Sequence, residues 1–458
     1  MRGAKTAWAH LWPVWLVAAA LAFAPAGVAA PARAPAHPAT KAVSNAPVVT
    51  EARVMEEGGA TRLEFDFSGP TSAQSFLLAN PNRLIVDLPE ANFQIEPNVG
   101  LPARLRGRKT QQPKLTDVIA SFRFGLLAPG KSRIVVDLAQ PAKAARVTAE
   151  PIAEANGPTR LTIELKPVDR ATFQSLAAQD SRRDAPTGSI GAEAPRAPTP
   201  PKTGKPVVVI DAGHGGVDTG AVGEGHAVEK TIVFDFSRLL AAKLEATGRF
   251  QVVMTRKSDI FIPLGDRVKI ARAAQAALFV SIHADMLPEG ASVTGATVYT
   301  VSDRASDAEA ARIAEQENQA DAAAGHEADE TMGDVADILF DLTRRETRAY
   351  SHVFARSLVE RWRQSAKLNK NPQRSAGFRV LKAPDVPSVL LELGYLSSAK
   401  DVENLVSPEW REKTATTVAD AITQFFAARS PDKAEASDRI DATATGAVQA
   451  ASGGADRR

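Results

Sequence analysis

Between Val48 and Leu165, apolar and polar positions alternate in short runs. In TRLEFDFSG, Leu63, Phe65 and Phe67 fall on one side and Arg62, Glu64 and Asp66 on the other, which is the two-residue period of half-buried strands. RLIVDLPE, VIASFRFGLL, SRIVVDLAQ and TRLTIELKP behave alike, with Pro or Gly punctuating the gaps, and predict a small all-β domain over 47–168. RLIVDL and RIVVDL resemble each other, but six residues are too few to argue duplication. From Pro206 the period changes. VVVI predicts a buried strand, and TIVFDFSRLLAAKLEATG sets Val233, Phe236, Leu240 and Leu244 on one helical face before Gly248, the spacing of an amphipathic helix. QVVM, a helix around LGDRVKIARAAQAA, LFVSI, ATVYTV, SVLLEL and a final helix around WREKTATTVADAITQFF continue the alternation. The fold class is therefore α/β over 206–429, a mostly parallel sheet with helices on both faces, preceded by the small all-β domain.

Residues 304–372 interrupt that order with two helical stretches. In the second, Tyr350, Phe354, Leu358 and Trp362 recur every four residues, a packed face. The first is far more polar. Segments 31–46 and 169–205 are rich in Pro and small polar residues and predict linkers, and 430–458 holds too few large apolar residues to pack and predicts a disordered tail. Residues 1–30 read as a signal peptide: Arg2 and Lys5 precede LWPVWLVAAALAF, and Val28 and Ala30 fit a small-x-small cleavage site. That apolar run is shorter than the roughly 20 residues of a spanning helix, so export without stable membrane insertion is expected, an uncleaved anchor being the alternative. A basic run holding Arg104, Arg106, Arg108, Lys109 and Lys114 reads as a solvated loop.

Composition narrows the chemistry. With 55 Lys and Arg against 53 Asp and Glu the net charge is +2, which argues against a nucleic-acid binder working by phosphate neutralisation. The 458 residues contain no cysteine, so disulfides, thiolate nucleophiles and Cys-ligated zinc are excluded, leaving His, Asp and Glu as metal ligands. His214, in VVVIDAGHGG, follows a strand among glycines, and His283, in LFVSIHAD, follows another. If those strands are neighbours, both imidazoles share one sheet edge. Glu229, at the head of the first helix, supplies a carboxylate. His, Glu and His would leave Zn2+ one open position, as catalytic zinc needs. Glu392, ending an apolar strand in VPSVLLELGY, is assigned general base and then acid. Asp211 and Asp285 flank the histidines and are candidates to orient the imidazoles. Arg256, Asp259, Asp266 and Arg267 read as structural ion pairs, and His226 as a surface residue.

VIDAGHGGVDTGAVG, EK, MTRKSDIFIPLGDRVKIA, LFVSIHAD and VPSVLLELGYLSS closely resemble the zinc-dependent N-acetylmuramoyl-L-alanine amidases of the Amidase_3 type, over roughly 206–428. The resemblance implies zinc ligation by His214, Glu229 and His283 and catalysis by Glu392. It implies hydrolysis of the amide between N-acetylmuramic acid and L-alanine in peptidoglycan, in the periplasm, during wall remodelling and daughter-cell separation. The preceding β domain looks like an AMIN domain, which in relatives helps localise the enzyme to the wall. Relatives with such an insertion use its helix to occlude the site until a LytM-type activator protein binds. Among Glu315, Glu317, Glu327 and Glu330, Glu317 is the first choice for a carboxylate filling the open position. Competing expectations are a zinc peptidase acting within stem peptides and a noncatalytic wall-binding scaffold.

Overall fold

The computed structural model describes residues 46–102, 114–153, 157–183, 204–223, 227–287, 293–326 and 338–428. The expected signal peptide, the basic run from Arg104 to Lys109, His226, Glu327, Glu330 and the C-terminal tail lie outside the described residues.

Among the described residues, the β domain contains nine strands: β1 (Val48–Glu57), β2 (Ala60–Phe67), β3 (Gln74–Leu78), β4 (Arg83–Pro89), β5 (Asn92–Phe93), β6 (Ile119–Ala128), β7 (Lys131–Leu138), β8 (Ala142–Pro151) and β9 (Thr159–Pro167). They form two sheets, β5-β1-β2-β9-β8 and β3-β4-β7-β6. Leu63, Phe65 and Phe67 of β2 meet Phe122, Phe124, Ile134 and Val136 of the second sheet in one core, as two facing sheets with alternating inward side chains require. The similar runs RLIVDL and RIVVDL are antiparallel neighbours with Ile85 opposite Val135. Both are apolar on two faces: Leu84, Val86, Ile134 and Val136 enter this core, while Ile85 and Val135 point away from it into a separate cluster.

The linker expected over 169–205 needs correction, because it begins with a helix, α1 (Arg170–Arg183). Phe173 and Ala177 are buried in the β-domain core, and Asp169 caps the helix by accepting from the Thr172 N–H at 2.9 Å. One turn of apolar residues amid polar ones suffices, since the sheet supplies the other half of the contact.

The second domain contains β10 (Val207–Ala212), α2 (Glu229–Ala246), β11 (Gln251–Met254), α3 (Leu264–Ala273), β12 (Leu278–His283), β13 (Ala296–Val301), α4 (Ala308–Asn318), α5 (Ala320–Ala323), α6 (Ile338–Trp362), β14 (Leu368–Ala376), β15 (Ser388–Glu392), α7 (Ala399–Val406) and α8 (Pro408–Ala427). The sheet order is β11-β10-β12-β15-β13-β14. All neighbours are parallel except β13 and β15. Side chains of α2, α6 and α8 cover one face of the sheet and those of α3 and α4 the other. Every residue of β10, β12 and β15 is buried, which explains their unbroken apolar runs. The parallel register sets His283 beside Glu392 and Ala212 beside Ile282. The carboxyl ends of these three strands therefore form one edge.

Candidate metal centre

β10 ends two residues before His214, whose φ is 56°, a left-handed conformation that few side chains adopt. Two buried arginines hold that turn. Arg256 donates to the carbonyls of Ala212, Gly213 and Lys230 at 3.0, 2.9 and 2.8 Å. Arg267 donates to the carbonyls of Ile262, Ala212 and His214 and to Asp211 Oδ1, all at 2.8–2.9 Å. Arg256 is thus a backbone clamp rather than an ion-pair partner, while Arg267 with Asp211 forms the buried pair. Asp259 and Asp266 pair with Lys230 and Lys269 at 2.7 and 2.9 Å.

The loop packs tightly on the second histidine. A Cβ at Gly213 would lie 2.7 Å from His283 Nε2, and one at Gly220 would lie 2.6 Å from Glu229 Oε2, so both positions need a residue without a side chain. Glu229 is the first residue of α2 and fully buried. It accepts from the Ala221 N–H through Oε2 and from the Ala284 N–H through Oε1, both at 2.8 Å.

These elements bring His214, Glu229 and His283 together, and α4 adds Glu317; one ligand atom from each lies within 4.8 Å of all the others, and all four residues are buried. Glu229 Oε1 is 3.1 Å from His214 Nε2 and 3.3 Å from His283 Nδ1. Glu317 Oε2 is 3.7 and 2.9 Å from the same two nitrogens. The imidazole rings stand edge to face with centroids 4.9 Å apart. Among the described residues, His214 Nε2 and His283 Nδ1 make no well-directed hydrogen bond and have only the carboxylates of Glu229 and Glu317 beside them, although buried polar atoms are almost always satisfied. Two imidazole nitrogens converging with two carboxylates suit a cation, and an N/O donor set of this kind suits a transition metal.

The titration behaviour agrees with a negative hollow. Burial opposes charge on both imidazoles most strongly, but at His214 the carboxylates of Glu229, Asp218 and Glu317 outweigh it and hold the pKa well above that of an ordinary histidine. At His283 the charge of Glu317 and the contacts of Glu229 and Glu317 raise it to about 10. A divalent ion would supply the positive charge that these protons otherwise provide.

Glu392 closes the constellation. It is fully buried at the end of β15, its Oε1 accepts from the Asp285 N–H at 2.5 Å, and its Oε2 has no hydrogen-bond partner among the described residues. Burial, then the charge of Glu229, pushes its pKa up to about 8. Neither aspartate expected to orient an imidazole does so. Asp211 accepts from Thr255 Oγ1 and Ser281 Oγ, both at 2.7 Å, besides Arg267. The side chain of Asp285 accepts from Gln316 Nε2 at 2.8 Å. The orienting residue is Asp218, whose Oδ2 lies 2.9 Å from His214 Nδ1. This contact fixes the ring and directs Nε2 to the cluster. Its position four residues after His214, in the same glycine-rich turn, was the available signal.

A strand-edge cluster of two imidazoles and two carboxylates beside a buried glutamate with one oxygen left for proton transfer defines a metal-assisted hydrolase. The N-acetylmuramoyl-L-alanine amidase family matches residues 208–424, and the AMIN domain family matches 51–165. The N-acetylmuramoyl-L-alanine amidase AmiC of Escherichia coli O6:H1 is 32% identical over 390 residues, 83% of this chain and 89% of that protein. AmiC of Neisseria meningitidis serogroup B is 32% identical over 391 residues, 83% and 90% of the two chains. The solved amidase AmiC2 of Nostoc punctiforme is 28% identical, with a TM-score of 0.36 over 49% of this chain and 98% of that one. The chain belongs to the N-acetylmuramoyl-L-alanine amidases, with an AMIN domain ahead of the α/β domain.

Proposed function

We propose that this amidase hydrolyses the bond between N-acetylmuramic acid and the L-alanine of the stem peptide in peptidoglycan, using zinc held by His214, Glu229 and His283. Family membership supports the reaction, and the convergence of four buried ligand atoms within 4.8 Å supports the metal site. When bound, the cation makes water acidic near neutral pH and polarises the scissile carbonyl. Glu392 performs the proton transfers. Its Oε2 would take a proton from water and return it to the leaving nitrogen, and burial raises the carboxylate's affinity for that proton. The Asp285 N–H holds the other oxygen in place.

Glu317 occupies the remaining side of the ligand set. In this reading it fills the position that substrate and water require, so α4 is autoinhibitory and a LytM-type activator protein displaces it. The location that fits is the periplasm, reached through the signal peptide at 1–30, with 47–168 as the AMIN-like domain and 206–429 as the catalytic domain.

Glu392→Gln tests the assignment. The variant should keep its metal content and melting temperature, while dye release from labelled wall falls by roughly 10²–10⁴-fold. Undiminished release would refute the role. Mass spectrometry of the products should show intact stem peptides beginning at L-alanine, whereas fragments of those peptides would indicate a peptidase.

A further inference from the structure

The outer face of the β3-β4-β7-β6 sheet touches the segment that carries Glu317. Arg133, nearly buried, forks onto both oxygens of Asp87 at 2.6 and 2.9 Å and sends its remaining nitrogen to the carbonyls of Ala324 and Gly325 at 3.1 and 2.7 Å. Arg123 is held the same way by Asp137, at 2.6 and 3.3 Å, and donates to the Ala323 carbonyl at 2.6 Å. Two arginines, each oriented by a carboxylate on the neighbouring strand, thus engage three successive carbonyls at the C-terminal end of α5, from its last residue onward, where a helix leaves its acceptors unsatisfied.

Apolar contacts surround those bonds. Leu78, Ile85, Leu127 and Val135 of the β domain pack with Val217, Phe261 and Ala324 in a cluster separate from the domain cores. Gly325, at φ +67°, lies so near that a Cβ there would come within 2.5 Å of Ile85 Cδ1. Only Gln319 separates α4 from α5, so Glu317 and Ala323 are roughly 9 Å apart along a nearly continuous helical path. Within that path Gln316 bonds Asp285, Asn318 bonds the Gly377 carbonyl and the Arg379 N–H, and Asp321 accepts from the Leu264 N–H at 2.9 Å.

We infer that this face of the β domain is a clamp for the α4–α5 segment, so that docking of the β domain and occlusion of the metal centre are one linked state. The inference rests on the reading of Glu317 as the occluding residue. Whatever pulls the β domain away, a hold on the wall included, removes one support of the inhibitory helix and lowers the work left for an activator.

The test uses the full chain. In Arg123→Ala/Arg133→Ala, Asp87 keeps Lys131 and Asp137 keeps Ser121 as partners. Amide exchange over 308–325 and basal dye release from isolated wall should each rise roughly tenfold, the scale expected for losing charge-assisted hydrogen bonds. Ala324→Arg disrupts the same contact from the segment side and should act alike, which covers an unfolded arginine variant. Glu317→Ala, with the clamp intact, should also raise basal release. Folded clamp variants with unchanged exchange and release, beside an active Glu317→Ala, would overturn the clamp and leave occlusion standing. A silent Glu317→Ala would overturn occlusion instead, and faster exchange in the clamp variants would then still support the clamp.

Discussion

At His214 an unfavourable backbone and a functional ring are held by different neighbours. Arg267 secures the His214 carbonyl, while Asp218 secures Nδ1. Asp218→Ala should therefore weaken metal binding by about 10–100-fold with little change in fold, read by competition with a chelator; unchanged affinity would count against the orienting role. Asp211 makes a different prediction. Burial opposes its charge most strongly, but Arg267 and the hydroxyls of Thr255 and Ser281 prevail and hold its carboxyl below the ordinary value of 3.8. Its contribution to stability is thus complete above about pH 4 and lost as the pH falls through the depressed value. Asp211→Asn should flatten the acid limb of melting temperature against pH. It should also cost about 3–5 kcal/mol at neutral pH, because the Arg267 charge stays buried without its counter-ion. An acid limb unchanged by the substitution would refute the assignment.

Among the elements, α6 shows what periodicity can and cannot reveal. Phe354, Leu358 and Trp362 are fully buried, as the four-residue spacing predicts, whereas Tyr350 is only partly covered. Trp362 packs against the sheet, but among the described residues its Nε1 has no hydrogen-bond partner. Trp362→Ala should cost about 3–5 kcal/mol by leaving a cavity, and Trp362→Phe much less, since it also removes an unsatisfied donor; equal losses in thermal melts would sink that account. The strand β14 (LNKNPQRSA) was not legible, because this polar run at the sheet edge has no apolar alternation to read. α1 was hidden for a related reason, its buried face amounting to Phe173 and Ala177. The strands that lead to His214 and end in His283 and Glu392 were legible because they are covered on both faces, and these site residues stand at their ends or two residues beyond. Asp218 was passed over for the nearer aspartates, whose neighbours in space could not be read from spacing.

For the molecule as a whole, the α/β and all-β assignments followed from a change in hydrophobic period near Pro206. The contact between the domains did not. Its trace in the sequence was the three successive apolar residues in RLIVDL and RIVVDL, one more than a sheet with a single covered face needs. At that contact the main chains themselves come together: a Cβ on Gly125 would lie 2.4 Å from the Gly216 carbonyl, and one on Gly216 would lie 1.8 Å from that of Leu126. Gly216 belongs to the turn that presents His214. The two halves of the protein are consequently not interchangeable parts, and a chimaera that imports a foreign β domain must also import a residue as small as glycine at position 125, or the turn beneath it will be displaced.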